Sequence, residues 1–197
     1  MPVLNCLRVI FLLDKLRRYI GFLIFPFANI LVKLKVTPNL LTLIGFVFSL
    51  LSSYLIVSGS LLSAGFLILL SGFFDVLDGA VARLSGLTSK FGGFFDSVMD
   101  RFSDAVVLSS IILYDQSLLL LGLIALIGSL MVSYCRARGE SLGVNLAGVG
   151  LAERGERMII ISVGVMLNVI QWSLLLLVIL CYITIFMRIF KVWSSLR

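Results

Sequence analysis

Apolar positions along the chain fall into long runs separated by short polar breaks. The first run extends from about Leu40 to Val57 and closes at Ser58-Gly59-Ser60; the second goes from Leu61 to Leu84, with Ser85-Gly86 behind it. A third runs from about Phe91 to Tyr114 and ends at Asp115-Gln116, and a fourth from Leu118 to about Cys135, with a helical continuation carrying Arg136, Arg138 and Glu140. After a glycine-rich loop, Gly143 to Gly150, the fifth covers about Ala152 to Leu167 and the sixth about Trp172 to Phe190. A membrane-crossing helix needs roughly 20 mainly apolar residues. The pattern therefore predicts an all-α integral membrane protein with six transmembrane helices. Thr37-Pro38-Asn39 marks the start of the first, since threonine caps a helix and proline suits its first turn.

The N-terminal portion reads differently. From Leu13 to Val36 basic and apolar clusters alternate (LDKLRRYIGFLIFPFANILVKLKV), with Pro26 placed to bend or break a helix. Cations bordering apolar residues suit an amphipathic helix lying in the membrane interface, while the apolar run Tyr19 to Val32 leaves a tilted span as the other reading. The expected division is residues 1–36 as an interfacial segment and 37–197 as the six-span domain. No short apolar core with a small-residue cleavage site follows the start, so the chain is expected to stay in the bilayer as a mature protein.

Composition supports this. The chain is 60% hydrophobic and 13% charged, against about 25% charged in soluble domains. All 16 lysines and arginines lie in the N-terminal portion, in or beside the connections after the second and fourth runs, or toward the C-terminus. By the positive-inside rule both termini and those connections face the cytoplasm. The bilayer is the expected partner and nucleic acid is not. Cys6, Cys135 and Cys181 have no metal-ligand spacing and form no disulfide framework. Histidine is absent, which leaves carboxylates as the leading acid-base groups.

Against that background the stretch DVLDGAVARLSGLTSKFGGFFDSVMD stands out. Residues three or four apart share a helix face, so Asp75 and Asp78 point together from the second run, and Asp96 and Asp100 from the third. At about 1.5 Å per residue the two pairs reach a similar level near the cytoplasmic side, where four carboxylates are expected to face one cavity. Insertion scales charge roughly 2.5–3.5 kcal/mol for an aspartate at mid-membrane. Arg83, Lys90 and Arg101, the cations close in sequence, are too few to offset these acids together with Asp104, so added cations are expected. Oxygen donors select magnesium, manganese or calcium, and two such ions form the clamp used in phosphoryl displacement. A structural ion-pair network or an ion or proton route is the other reading. Gly79 and Gly92-Gly93 strip bulk from beside the acids, for close ligand approach or for close helix packing.

Asp75, Asp78, Gly79, Ala82, Arg83, Gly92, Asp96 and Asp100 fill every fixed position of D-x2-D-G-x2-A-R-x8-G-x3-D-x3-D. The chain thereby resembles the CDP-alcohol phosphatidyltransferases, integral membrane enzymes. The resemblance implies transfer of a phosphoalcohol from a CDP-linked lipid donor to a hydroxyl acceptor with release of CMP, and a homodimer. It implies that Asp75, Asp78, Asp96 and Asp100 bind two divalent cations, Mg2+ or Mn2+, that Asp100 is also the catalytic base, and that Gly79, Ala82 and Arg83 contact the nucleotide.

Ser133-Tyr134-Cys135-Arg136-Ala137-Arg138-Gly139-Glu140 and Glu153-Arg154-Gly155-Glu156-Arg157 bring four arginines to the ends of the fourth and fifth runs. Guanidinium forks with a serine suit a phosphate dianion. These segments resemble the phosphatidylinositol-phosphate and archaetidylinositol-phosphate synthase branch, which implies a phosphorylated polyol acceptor, inositol 1-phosphate, bound by Ser133, Arg136, Arg138, Arg157 and Arg188. Ordinary positive-inside residues paired with neighbouring glutamates are the alternative. A sibling enzyme using glycerol 3-phosphate, serine or another inositol derivative, and an ion or proton transporter, are the competing functions.

Overall fold

The computed structural model describes residues 24–197. Every regular element among them is helical: α1 (Ile24–Lys33), then α2 (Pro38–Val57), α3 (Leu61–Ser85), α4 (Lys90–Tyr114), α5 (Leu119–Ser141), α6 (Arg154–Met166) and α7 (Ile170–Ser195), with a 3-10 turn at Gln116–Leu118 before α5. Most of the segment expected to form the interfacial helix lies outside the described residues. The part that is described, α1, passes through Pro26 without a break. It ends where Lys35 adopts φ 56° and Val36 N donates to Leu31 O at 3.0 Å, the left-handed closure that satisfies the last free carbonyls of a helix.

The element ends follow local chemistry. Pro38 occupies the first position of α2 after Thr37. Gly86, at φ 70°, closes α3 in a region of backbone space that side chains disfavour. Ser89 caps α4 by accepting from Gly92 N at 2.9 Å, which satisfies one of the free N–H groups of its first turn.

α2 packs along both α3 and α4, α3 along α6, and α5 along α4 and α7. One core cluster joins Ile68, Leu108, Val132, Val165, Leu174 and Leu177; a smaller one links Ile24 and Ala28 of α1 to Leu41, Leu77 and Val81. Small residues and hydroxyls carry the close helix contacts, as expected where hydrophobic exclusion from water does not drive association. Ser49 and Ser71 share a hydrogen bond of 2.8 Å between α2 and α3, and Ser162 of α6 donates to Gly65 O of α3 at 2.8 Å. A Cβ at Gly65 would lie 2.8 Å from Ser162 O, so the α3–α6 approach depends on that missing side chain.

Among the described residues, four helical stretches are long and apolar enough to cross a membrane: Pro38–Val57, Leu61–Ser85, Gln116–Ser141 and Ile170–Ser195. Helix α4 is as long as α3 but carries Lys90, Asp96, Asp100, Arg101 and Asp104, and α6 has only 13 residues. These two less apolar helices supply Asp96, Asp100, Arg101, Asp104, Arg154 and Arg157 to the site described next.

Candidate active site

α3 and α4 both lie on α2 but share no extended contact with each other. Their acids meet across the opening between them. Asp75, Asp78 and Asp96 each offer a carboxylate oxygen, all within 4.8 Å of one another, as the three- and four-residue spacings lead one to expect. Asp78 is buried, at 5% exposure, and Thr42 of α2 donates to its Oδ2 at 2.5 Å.

The electrostatic balance departs from the sequence expectation. Cations near in sequence are too few, but two from far along the chain enter the acid cluster. Arg154, at the start of α6, bridges Asp75 Oδ1 and Asp100 Oδ1, the latter at 2.7 Å, and its Nε is 4.0 Å from Asp104 Oδ1. Arg157, one turn later, donates from Nη2 to Asp104 Oδ2 at 2.7 Å. Fixed protein charge therefore compensates Asp75, Asp100 and Asp104. Asp78 and Asp96 form no salt bridge within 4.0 Å among the described residues, and Asp96 Oδ1 is buried without a hydrogen-bond partner there.

The acids also do not face a single cavity. They form a partition between two. One cavity, of about 250 Å³, is lined by Asn39, Thr42, Asp78, Gly79, Ala82, Arg83, Gly92, Gly93 and Asp96. All three residues implied for nucleotide binding, Gly79, Ala82 and Arg83, are in its wall. A Cβ at Gly79 would sit 3.2 Å from Arg83 Nη1, so the glycine leaves room for that guanidinium. At Gly93 a Cβ would meet nothing within 4 Å, so that glycine opens the cavity and serves no helix contact.

The second cavity, about 350 Å³, lies between α4, α5, α6 and α7 and is lined by Asp96, Asp100, Arg101, Ser133, Arg136, Arg154, Arg157 and Arg188, among others. Asp96 is the residue the two walls have in common. Asp75 joins Asp100 and Arg154 around a narrow void beside them.

Of the residues expected to bind an acceptor phosphate, Ser133, Arg136, Arg157 and Arg188 share the larger cavity. Arg136 is held by Glu140 at 2.9 Å. Arg188 is fixed by carbonyls, with Nε donating to Val149 O at 2.9 Å and Nη1 to Val132 O at 2.5 Å. Arg138 lines a mainly apolar cavity between α5 and α7 with Tyr134, Leu142, Trp193 and Arg188, the last of which also lines the basic one. Two residues along a helix turn the side chain by about 200°, so Arg136 and Arg138 leave α5 on different sides. Arg101 and Arg154 complete the basic lining and were not singled out by the sequence. Arg154 stands in the Glu153–Arg157 motif, but only the α3–α6 packing reveals that it reaches Asp75.

The oxygen set suits a hard divalent cation. Three carboxylates converge, two of them lack a basic partner within salt-bridge distance among the described residues, and a buried oxygen of Asp96 is left without a hydrogen bond. Buried acceptors are otherwise almost always satisfied.

Residues 35–192 match the family model for CDP-alcohol phosphatidyltransferase; the chain belongs to this family and is an integral membrane transferase. It is 41% identical over 186 residues to the archaetidylinositol phosphate synthase of Pyrococcus horikoshii, covering 94% of this chain and 99% of that relative. It also resembles the crystal structure of Mycobacterium tuberculosis phosphatidylinositol phosphate synthase with CDP-DAG bound, with a TM-score of 0.78 and 30% identity over 87% of this chain and 94% of that one. The same Mycobacterium tuberculosis enzyme in complex with manganese and citrate matches equally well, with a TM-score of 0.78 and 30% identity over 87% of this chain and 89% of that one.

Proposed function

We propose that the protein transfers a phosphatidyl-type group from a CDP-linked lipid to the hydroxyl of inositol 1-phosphate and releases CMP. The observation that carries this reading is the shared wall: Asp96 borders both the cavity lined by Gly79, Ala82 and Arg83 and the cavity lined by five arginines. In this reading Asp75, Asp78 and Asp96 hold one divalent cation and Asp100 contributes to a second, Mg2+ or Mn2+. Such ions supply Lewis acidity and neutralise phosphate charge.

The chain's own residues do the rest. Gly79 and Ala82 let the nucleotide lie close to α3, and Arg83 pairs with its diphosphate. Arg136, Arg157 and Arg188, with Ser133, hold the acceptor's phosphate so that its hydroxyl faces Asp96 and Asp100. Asp100 takes the hydroxyl proton as the oxygen bonds to the phosphorus on the lipid side. The bridging P–O bond breaks and CMP departs with that oxygen, its charge offset by Arg83. The names borne by relatives favour inositol phosphate over glycerol 3-phosphate, since the basic cavity alone suits either.

In the proposed frame α4 and α6 cross the bilayer with the four longer apolar helices, giving six spans within residues 37–197. Both cavities and both termini face the cytoplasm, as the clustering of cations favours, residues 1–36 lie at the interface, and the enzyme acts as a homodimer.

Purified protein given Mg2+, a CDP-lipid and inositol 1-phosphate is expected to release CMP. Chelation is expected to stop the release and Asp100→Asn to abolish it. Substituting glycerol 3-phosphate tests the acceptor, and comparing acyl with isoprenoid CDP-lipids tests the donor. Ion flux through reconstituted protein with no CMP formed would overturn the reading in favour of a transporter.

A further inference from the structure

Asp104 lies one turn beyond Asp100 on α4, outside the family signature. It is buried, at 7% exposure, and belongs to the lining of neither large cavity. Its two oxygens nevertheless reach two guanidinium groups that do line the basic one. Oδ2 accepts from Arg157 Nη2 at 2.7 Å, and Oδ1 is 4.0 Å from Arg154 Nε. Arg154 and Arg157 are three apart and so lie on the same side of α6.

Arg157 is pinned at a second corner, where Nη1 donates to Ala152 O at 2.9 Å. Its Nε has no hydrogen-bond partner among the described residues. A guanidinium is a rigid planar fork with five N–H donors, so fixing two corners fixes its plane at the wall of the basic cavity that Arg157 lines. Preorganisation of this kind lowers the cost of ordering a binding site when the ligand arrives.

We propose that Asp104 is a positioning residue for acceptor recognition: it holds Arg157 in the orientation that receives the acceptor's phosphate. This rests on the phosphorylated-acceptor reading above. Asp104 touches neither ligand, so its contribution falls on acceptor binding and not on the bond-making step.

The test uses the full chain in lipid nanodiscs, with initial CMP release measured against inositol 1-phosphate at saturating CDP-lipid and Mg2+. Calorimetric binding of inositol 1-phosphate serves as an activity-independent readout. Asp104→Asn is expected to raise the acceptor KM and Kd by about 10-fold or more, with kcat, the CDP-lipid KM and Mn2+ affinity within about 3-fold of wild type. Asp104→Glu, which keeps the anion on a longer arm, is expected to fall between wild type and Asn. Should the Asn variant not fold, the Glu variant alone is expected to show the acceptor-selective rise.

A loss of kcat at unchanged acceptor KM, a parallel rise in both KM values, or no change in either variant would overturn the proposal. Wild-type protein that uses unphosphorylated inositol as readily as inositol 1-phosphate would instead overturn the acceptor reading, before any variant is made, and the role of Asp104 with it.

Discussion

Thr42 Oγ1 on α2 stands 2.5 Å from Asp78 Oδ2 on α3, and the same hydroxyl lies 3.2 Å from Pro38 O of its own helix. A hydroxyl from one helix thus fixes a buried carboxylate on another. Partners that orient a metal ligand are typically worth 10- to 100-fold in affinity. Thr42→Val, which keeps the shape, is expected to weaken Mn2+ binding by about 10-fold or more, and Thr42→Ser to restore most of it. Titration followed by electron paramagnetic resonance of free Mn2+ checks both.

Two glycines of α3 should respond differently to alanine. At Gly79 the added Cβ meets only the end of Arg83, 3.2 Å away, so the melting temperature should hold while the KM for CDP-lipid rises several-fold. At Gly65 it meets the Ser162 carbonyl at 2.8 Å, and overpacking there is expected to cost about 1–3 kcal/mol. Thermal unfolding in detergent alongside donor KM separates the two effects.

Arg154 compensates Asp75 and Asp100 together. Arg154→Gln removes the charge and shortens the side chain, leaving two neighbouring acids without that partner. CMP release is expected to fall by about 100-fold or more at saturating substrates, and Arg154→Lys to lie between. The readout is kcat, with Mn2+ binding measured in parallel.

Thr184 of α7 tethers the loop before α6: its Oγ1 accepts from Leu151 N at 3.0 Å and Ala152 N at 3.1 Å. Thr184→Val leaves those backbone donors unsatisfied, at about 1–3 kcal/mol of stability. Because Ala152 O holds Arg157, the acceptor KM should rise as well. A melting curve and an acceptor titration test the two halves of this expectation.

The helices were legible because apolar runs and their punctuation are local signals. Ser58-Gly59-Ser60 and Ser85-Gly86 fall where α2 and α3 end, and α4 and α6 begin and stop within two residues of their expected limits. The convergence of Asp75, Asp78 and Asp96 was equally visible, since helical spacing sets a shared face and a short connection sets the level. Long-range charge pairing was not. Arg154 is 79 residues from Asp75, and nothing local predicts that the first residue of α6 reaches acids on both α3 and α4. The same blindness made the acids look short of countercharge. Arg138 was grouped with Arg136 by motif, whereas the helical turn between them places it on another face of α5.

The partition at Asp96 constrains the order of events. Asp96 borders both chambers, and neither chamber includes the other's lining arginines; in the proposed reaction donor and acceptor would occupy these adjoining rooms. Direct handover then requires both rooms to be filled at once, so reciprocal-rate lines for the two substrates should intersect and not run parallel.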